Sequence, residues 1–226
     1  MFGLTRDGAY AELVAVPARN AVRIPESVTS EHAAVMMCSS ATSLHALRKG
    51  RLATGEVIAV FGVGDLGMSD VQLGFALGAA QVFAVDVDEG RLATAAAYGA
   101  TAVPAGADPA RFIQKSGGAA VALTLVDKSE VFMAAMASLT KRGRLVSVGI
   151  GRTPVPVIPY ENLILGEHEL IGSNDHLLAE IYELFGSPSK ECSGWIALSP
   201  MSSRSKRKPS TRHSTASTVF RQALGP

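Results

Sequence analysis

The sequence predicts an α/β protein built on a parallel sheet with helices on both faces, and two observations support this prediction. Short apolar runs alternate with helical stretches through most of the chain. The short runs are also apolar at consecutive positions, which is typical of strands that are buried on both sides. Strands of this kind separated by helices indicate a doubly wound parallel sheet.

The individual elements follow from these patterns. The predicted strands are Val57–Phe61, Gln81–Asp86, Val121–Val126 and Arg144–Gly149. The helices predicted after them are Leu66–Leu77, Glu89–Tyr98, Glu130–Leu139 and Asp175–Leu184. An earlier helix is expected from Glu31 to Leu47, with Ser30 as its N-cap and Gly50 just past its end.

Composition is that of an ordinary globular protein: 226 residues, 47% hydrophobic and 18% charged. A net charge of +1 gives no argument for nucleic acid or an anionic membrane surface as a partner. No apolar run approaches the roughly 20 residues that span a bilayer, and Met1–Asp7 lacks the features of a secretory signal. Two cysteines, Cys38 and Cys192, make no disulfide framework, so a cytoplasmic location is expected.

The last forty residues differ in character from the rest. Seven basic residues and one acidic residue give 187–226 a net charge of about +6, whereas the first 186 residues hold 14 basic and 19 acidic groups. The segment also contains ten Ser and four Pro, and it shows no apolar periodicity. We therefore expect a disordered tail. A basic nucleic-acid or targeting segment around Arg204–Lys208 is the alternative, and a solvated tail is favoured over it.

A glycine-rich segment, Gly62–Gly67, fits the pattern G-x-G-x-x-G, directly after a predicted strand and at the start of a helix. Gly62 allows the tight turn, and Gly64 lets the backbone approach a pyrophosphate closely. Gly67 lets the helix pack against the strand, and the helix N-terminus faces the phosphate charge. The acidic side chain of Asp65 is expected to face solvent and to help cap this helix.

An acidic residue, Asp86, completes the pattern at the end of the second strand, nineteen residues after Gly67. A carboxylate at this spacing accepts hydrogen bonds from a ribose diol and repels a 2′-phosphate, which favours NAD over NADP. The alternative is a surface Asp that caps the helix from Glu89, and the two roles are compatible. The sequence therefore predicts a Rossmann dinucleotide-binding unit that holds NAD.

A series of motifs in the same order resembles the medium-chain zinc-dependent alcohol dehydrogenases. The resemblance runs from about Asp7 to Phe185. Its motifs are Asp7–Glu12, Ala33–Cys38, Thr42–Leu47, Gly62–Gly67, Tyr98–Thr101, Gly143–Gly149 and Leu170–Ser173.

The resemblance implies a role for several residues. It makes Cys38 a thiolate ligand of the catalytic zinc and places Thr42 near the nicotinamide and the reacting oxygen. It places Leu66 against the nicotinamide ring and Arg91 over the adenosine ribose. The backbone at Val148 and near Asn174 would bind the carboxamide. In such enzymes zinc polarises the alcohol oxygen while a hydride passes to the cofactor.

The cysteine and histidine assignments have plain structural alternatives. Cys38 on an apolar helix is by spacing alone most simply a small buried core residue, and only the motif around it favours the zinc ligand. His45 is expected to pack or face solvent. His168 and His176 have no partners at metal-ligand spacing and receive no metal role.

The resemblance also implies that the ligand set for zinc is incomplete. It would supply a Cys and a His from a β-rich catalytic domain ahead of the Rossmann unit, and neither motif occurs in this sequence. We expect three parts: a remnant of that domain (1–30), the NAD-binding domain (31–186) and the tail (187–226). The expected function is oxidation of an alcohol, or the reverse reaction with an aldehyde, although the chain alone is expected to be catalytically incomplete.

The competing function is a non-catalytic NAD-binding module. For either function, enzyme or module, we expect a homo-oligomer formed through the Rossmann domain, with no nucleic-acid or membrane partner.

Overall fold

The computed structural model describes residues 7–186, which belong to two compact units, 7–34 and 35–186. The first unit contains a 3-10 turn, Ala18–Asn20, and all but the last residue of helix α1, Ser30–Val35. The Thr29 carbonyl accepts from the backbone N–H of Ala33, and its hydroxyl accepts from that of His32 at 3.3 Å. Thr29 is therefore the cap, and the prediction of Ser30 in that role is wrong.

The second unit alternates strands and helices along the chain. A π-helical turn, Met36–Ser40, precedes helix α2, Ala41–Lys49. The strands are β1 (Val57–Phe61), β2 (Gln81–Val85), β3 (Thr101–Ala102), β4 (Ala119–Thr124), β5 (Leu139–Ser147) and β6 (Glu169–Gly172). The further helices are α3 (Asp65–Ala76), α4 (Glu89–Ala97), α5 (Pro109–Gln114), α6 (Ser129–Ala137) and α7 (Leu178–Gly186), and a second π-helical turn covers Pro159–Ile164.

The six strands form one sheet in the order β3-β2-β1-β4-β5-β6, and each neighbouring pair is parallel. This is the strand order of the Rossmann fold, in which the chain starts at the centre, winds to one edge and then returns to build the other half. The order reverses between β1 and β4. A crevice is expected beyond the carboxyl ends of these two strands.

Both faces of the sheet are covered because successive side chains of a strand point to opposite sides. On one face Phe61 of β1 belongs to a buried cluster that includes Ile113 of α5 and Met136 of α6. On the other face a Cβ atom on Gly74 of α3 would press against the side chain of Ile58. The consecutive apolar residues of β1 therefore serve two separate layers, which confirms the predicted parallel sheet.

The four predicted strands are present, with ends set by their neighbours. β1 has the predicted bounds, and Asp86 lies just past β2 because the ladder with β1 ends at the Phe61–Val85 pair. Val126 and Gly149 lie beyond β4 and β5, since the ladder between those strands ends at Thr124 and Ser147.

Three helix predictions need correction. The helix predicted from Glu31 to Leu47 is interrupted by the π-helical turn, where the backbone N–H of Ala41 donates to the carbonyl of Met36, five residues back. Leu139, predicted at the end of a helix, is the first residue of β5. Helix α7 begins at Leu178 rather than Asp175, because Asp175 has a φ of 58° that a right-handed helix cannot include.

Three short elements were not predicted: β3, α5 and β6 have two, six and four residues, too few to show a period. Helix α5 did carry a local signal, because Asp108 accepts a hydrogen bond from the backbone N–H of Arg111 and Pro109 occupies the first turn.

The predicted disordered tail, 187–226, lies outside the described residues. Within 7–186 no helix is both long and apolar enough to cross a membrane.

Candidate functional site

The glycine-rich loop connects β1 to α3 and has a conformation that requires two of its glycines. Gly62 has a φ of +97°, a left-handed conformation that other residues rarely adopt. A Cβ atom on Gly67 would collide with the carbonyl oxygen of Gly62, so only glycine allows α3 to start this close to the strand. These two glycines are therefore needed by the fold itself.

Gly64 differs, because nothing in the described chain lies within 4 Å of where its Cβ atom would be. The protein therefore gains no packing from the glycine at this position. Because residue 64 has no side chain, the space in front of the loop stays open. This is the arrangement that a ligand approaching the backbone closely would need.

Helix α3 points its N-terminus at the same space. Gly64 occupies the N-cap position and no side chain caps the helix, so the expectation that Asp65 helps to cap it is wrong. Asp65 is exposed, as expected. The uncapped backbone N–H groups of the first turn and the helix dipole make the position suitable for an anionic group such as a phosphate.

Asp86 follows β2 and is hydrogen-bonded to the glycine-rich loop. Its Oδ2 accepts the backbone N–H of Val63 at 2.9 Å, and its Oδ1 accepts that of Asp88 at 3.0 Å. The N-cap of α4 is Asp88, whose carboxylate accepts from Gly90 and Arg91. The alternative in which Asp86 caps this helix is therefore wrong, and its carboxylate remains fixed beside the loop.

The loop and Asp86 line one cleft of about 740 Å³ at the carboxyl ends of the central strands, where the strand order reverses. Six of the predicted cofactor-binding residues line it: Gly62, Gly64, Leu66, Gly67, Asp86 and Arg91. The guanidinium of Arg91 lies 3.7 Å from Asp86 Oδ2. The structure therefore brings together in space residues that are separated by up to 29 positions in the sequence.

The cleft also has lining residues that the sequence analysis missed. Val87 is 90% exposed although it lies two residues past a buried strand, and Val126 and Lys128 also line the cleft. Position offered one signal, since all three follow the carboxyl end of a central strand, the edge where ligands of such sheets bind. Nothing in their residue types distinguished them.

Four predicted site residues are not among those lining the cleft: Cys38, Thr42, Val148 and Asn174. Cys38 is exposed in the π-helical turn, which excludes the buried-core alternative. Thr42 is partly buried on α2, and Asn174 is exposed after β6. The backbone N–H of Val148 donates to the carbonyl of Thr124 at 3.0 Å, which leaves the Val148 carbonyl as its remaining polar group.

The described residues do not fit a zinc ion. No group of three or more His, Cys, Asp and Glu side chains within 7–186 could hold a metal, and a tetrahedral catalytic zinc needs three protein ligands. His45 Nδ1 lies 2.8 Å from Glu180 Oε1, and His168 Nδ1 lies 2.9 Å from the carbonyl of Asn162. One nitrogen of each ring therefore has a structural partner.

A buried acid lies near the site, one turn beyond the loop on α3. Asp70 is fully buried, and neither of its oxygens has a hydrogen-bond partner in the described chain. Burial raises the pKa of Asp70 to about 8, and this effect exceeds the opposing effect of the nearby Ser43 hydroxyl. That hydroxyl donates instead to the carbonyl of Leu66 at 3.0 Å.

Comparisons with known proteins agree with this geometry. The family model described as zinc-binding dehydrogenase matches residues 66–184, more than half of the chain. An alcohol dehydrogenase of Geobacillus stearothermophilus is 35% identical over 175 residues, which are 76% of this chain and 51% of that protein. An alcohol dehydrogenase of Moraxella sp. (strain TAE123) is 34% identical over 167 residues, 73% of this chain and 49% of that protein.

Solved structures give the same result. The alcohol dehydrogenase of the archaeon Aeropyrum pernix has a TM-score of 0.72 and 30% identity, and the match covers 80% of this chain and 55% of that one. The chain spans about half the length of the curated relatives it matches. With the match over 66–184, the sheet order and the loop geometry in agreement, the chain belongs to the zinc-binding dehydrogenase family.

Proposed function

We propose that this chain is the NAD-binding part of an alcohol dehydrogenase, which transfers a hydride between a small alcohol or aldehyde and the cofactor. The observation that carries the proposal is the position of Asp86, whose carboxylate lies beside the glycine-rich loop in the 740 Å³ cleft. The alcohol dehydrogenases among its relatives support the reaction class.

The adenosine and phosphate half of NAD is assigned to residues that line the cleft. The backbone around Gly64 and the N-terminus of α3 would receive the pyrophosphate. The Asp86 carboxylate would accept hydrogen bonds from the ribose hydroxyls, and its charge would repel a 2′-phosphate. Arg91 would lie over the same ribose, because its guanidinium is already 3.7 Å from Asp86.

The nicotinamide half is assigned to Thr42, Leu66, Val148 and Asn174. Leu66 has the strongest support, since it lines the cleft next to the loop. The carbonyl of Val148, left free by the N–H bond to Thr124, would accept from the carboxamide. NAD, when bound, supplies the ring that accepts or returns the hydride.

Zinc enters the proposal only through Cys38, the one ligand we assign to this chain. The described residues do not complete a zinc site, so we assign no zinc-dependent catalytic step to this chain. The same observation favours a second candidate, a non-catalytic NAD-binding module. For either function we propose a homo-oligomer formed through this domain. We also propose a cytoplasmic location, because the two cysteines of the sequence make no disulfide framework.

Cofactor titration combined with an alcohol-dependent NADH assay separates the two candidates. Saturable NAD binding with turnover would show that this chain alone is an enzyme. Saturable binding without turnover is the result we expect of the chain alone, and it would be consistent with the module or with an NAD-binding part that lacks a complete zinc site. The Asp86→Asn variant is the matched control for NAD binding. It removes the charge but keeps an oxygen for the Val63 N–H, so it should bind NAD more weakly than the parent chain does. Absence of NAD binding by the parent chain would overturn both candidates.

A further inference from the structure

A carboxylate outside the cleft fixes the loop that follows β5. Asp127 Oδ2 accepts the backbone N–H of Arg152 at 3.1 Å, and Oδ1 accepts that of Thr153 at 3.2 Å. A Cβ atom on Gly151 would collide with this carboxylate, so the loop passes directly over Asp127 only because residue 151 is glycine. Both oxygens of one side chain are thus used to hold one loop.

The same loop is connected to the cleft at its beginning. The carbonyl of Thr124, at the end of β4, accepts the backbone N–H groups of both Val148 and Gly149 at 3.0 Å. A Cβ atom on Gly149 would lie 2.9 Å from the carbonyl carbon of Leu125, which lines the cleft. The segment from Val148 to Thr153 is therefore held at one end by β4 and at the other by Asp127.

We infer that Asp127 is a positioning residue for the nicotinamide end of the cofactor site. It acts by holding 148–153 in place before the cofactor binds. The inference rests on the proposed function, which assigns the carboxamide to the backbone at Val148. Asp127 is not among the residues lining the cleft, so its effect passes through the loop rather than through direct contact with the cofactor.

The physical basis is preorganisation. A loop that is already ordered loses little conformational entropy when a ligand binds to it, so an interaction that fixes the unliganded loop increases affinity. Asp127, Arg152 and Thr153 are exposed, and hydrogen bonds in such positions contribute little to the stability of the whole fold. Loss of the carboxylate should therefore affect the loop far more than the sheet.

The test compares NAD with ADP-ribose, which has the adenosine, both phosphates and both riboses but no nicotinamide. We expect Asp127→Ala to weaken NAD binding about five- to tenfold and to leave ADP-ribose binding within about twofold of the parent. Asp127→Asn, which keeps one acceptor oxygen, should recover part of the loss. Gly151→Ala should reproduce the Asp127→Ala pattern, because it displaces the loop while the carboxylate remains.

Glu169→Ala is the matched control, since it removes an exposed acid at the amino end of β6, away from the cleft. Unchanged NAD affinity in Asp127→Ala, or an equal loss for NAD and ADP-ribose, would overturn the inference. Neither result would affect the proposed function, which fails only if the parent chain binds no NAD. Thermal unfolding of each variant verifies that the fold is intact.

Discussion

The carboxylate of Asp86 accepts the backbone N–H of Val63 at 2.9 Å, which ties the end of the second strand to the loop after the first. The side chain is only 6% exposed although it lines an open cleft. Its orientation is therefore fixed before any ligand binds. A fixed carboxylate recognises a diol better than a mobile one, because less side-chain entropy is lost on binding.

Cofactor preference should follow this carboxylate. We expect the parent chain to bind NAD more tightly than NADP, and Asp86→Asn to weaken NAD about tenfold and narrow the preference, because the repulsion of a 2′-phosphate is lost. Calorimetric titration with both cofactors measures the two affinities. Glu169→Gln, which removes a distant acid, should keep the parent preference. Equal affinity of the parent chain for NAD and NADP would rule out the assignment of Asp86.

The buried acid Asp70 should make stability depend on pH. Because its pKa rises from 3.8 to about 8 on folding, the folded chain holds a proton that the unfolded chain has released over this range. Stability is therefore lost as the pH rises, by up to about 1.4 kcal/mol per pH unit. Asp70→Asn, which cannot ionise, should become progressively more stable than the parent between pH 4 and 8, and the difference should then level off.

Urea unfolding at several pH values measures this difference. Asp65→Asn is the matched control, since it makes the same chemical change at an exposed position of the same helix. It should shift stability by only a few tenths of a kcal/mol. A parent and an Asp70→Asn variant whose stabilities run parallel from pH 4 to 8 would show that Asp70 is ionised in the folded chain.

The ion pair between Arg144 and Glu56 should stabilise the fold, because it joins β5 to the residue that precedes β1. The Arg144 guanidinium donates to both Glu56 oxygens, at 2.9 and 2.7 Å, and to the carbonyls of Gly50 and Arg51. Partial burial raises the pKa of Glu56, but its bonds to Arg144 and to the Ala53 N–H outweigh this and lower it below 4.5. The stabilisation is thus present above pH 4.5 and disappears as the pH falls through the lowered pKa.

Arg144→Met should therefore destabilise the fold by about 2 kcal/mol at neutral pH, and by less in acid. Lys141→Met is the control, because Lys141 is exposed and its pair with Glu167, at 3.4 Å, is a surface contact worth well under 1 kcal/mol. Chemical unfolding at pH 7 and below pH 4 gives both values. An Arg144→Met penalty that grows in acid would contradict this role of Glu56.

Metal content should match the incomplete ligand set. We expect the 226-residue chain to retain no stoichiometric zinc after dialysis and to oxidise alcohols at a negligible rate, because Cys38 is exposed and no three-ligand group occurs within 7–186. Elemental analysis and NADH absorbance measure the two quantities. Cys38→Ser should give the same background zinc. One tightly held zinc per chain with alcohol-dependent NADH formation would disprove this expectation.

Much of the site could be predicted because its signals are local. The loop glycines and Asp86 belong to one strand-loop-helix-strand sequence, and their spacing is set by the lengths of those elements. Val87, Lys128 and Asp127 could not be recognised in the same way. A valine after a strand or an aspartate before a helix has many ordinary roles, and only the neighbouring strands decide which surface it meets.

The sequence by itself determined the alternation of strands and helices and the loop that joins β1 to α3, because hydrophobic period and glycine conformation act within a few residues. The tertiary structure decided the strand ends, the π-helical turn at Cys38, the burial of Asp70 and the hold of Asp127 on the loop after β5. The strand ends and the contacts of Asp127 depend on which backbone groups and side chains of neighbouring strands and their loops meet. Such contacts join positions tens of residues apart, and no local pattern encodes them.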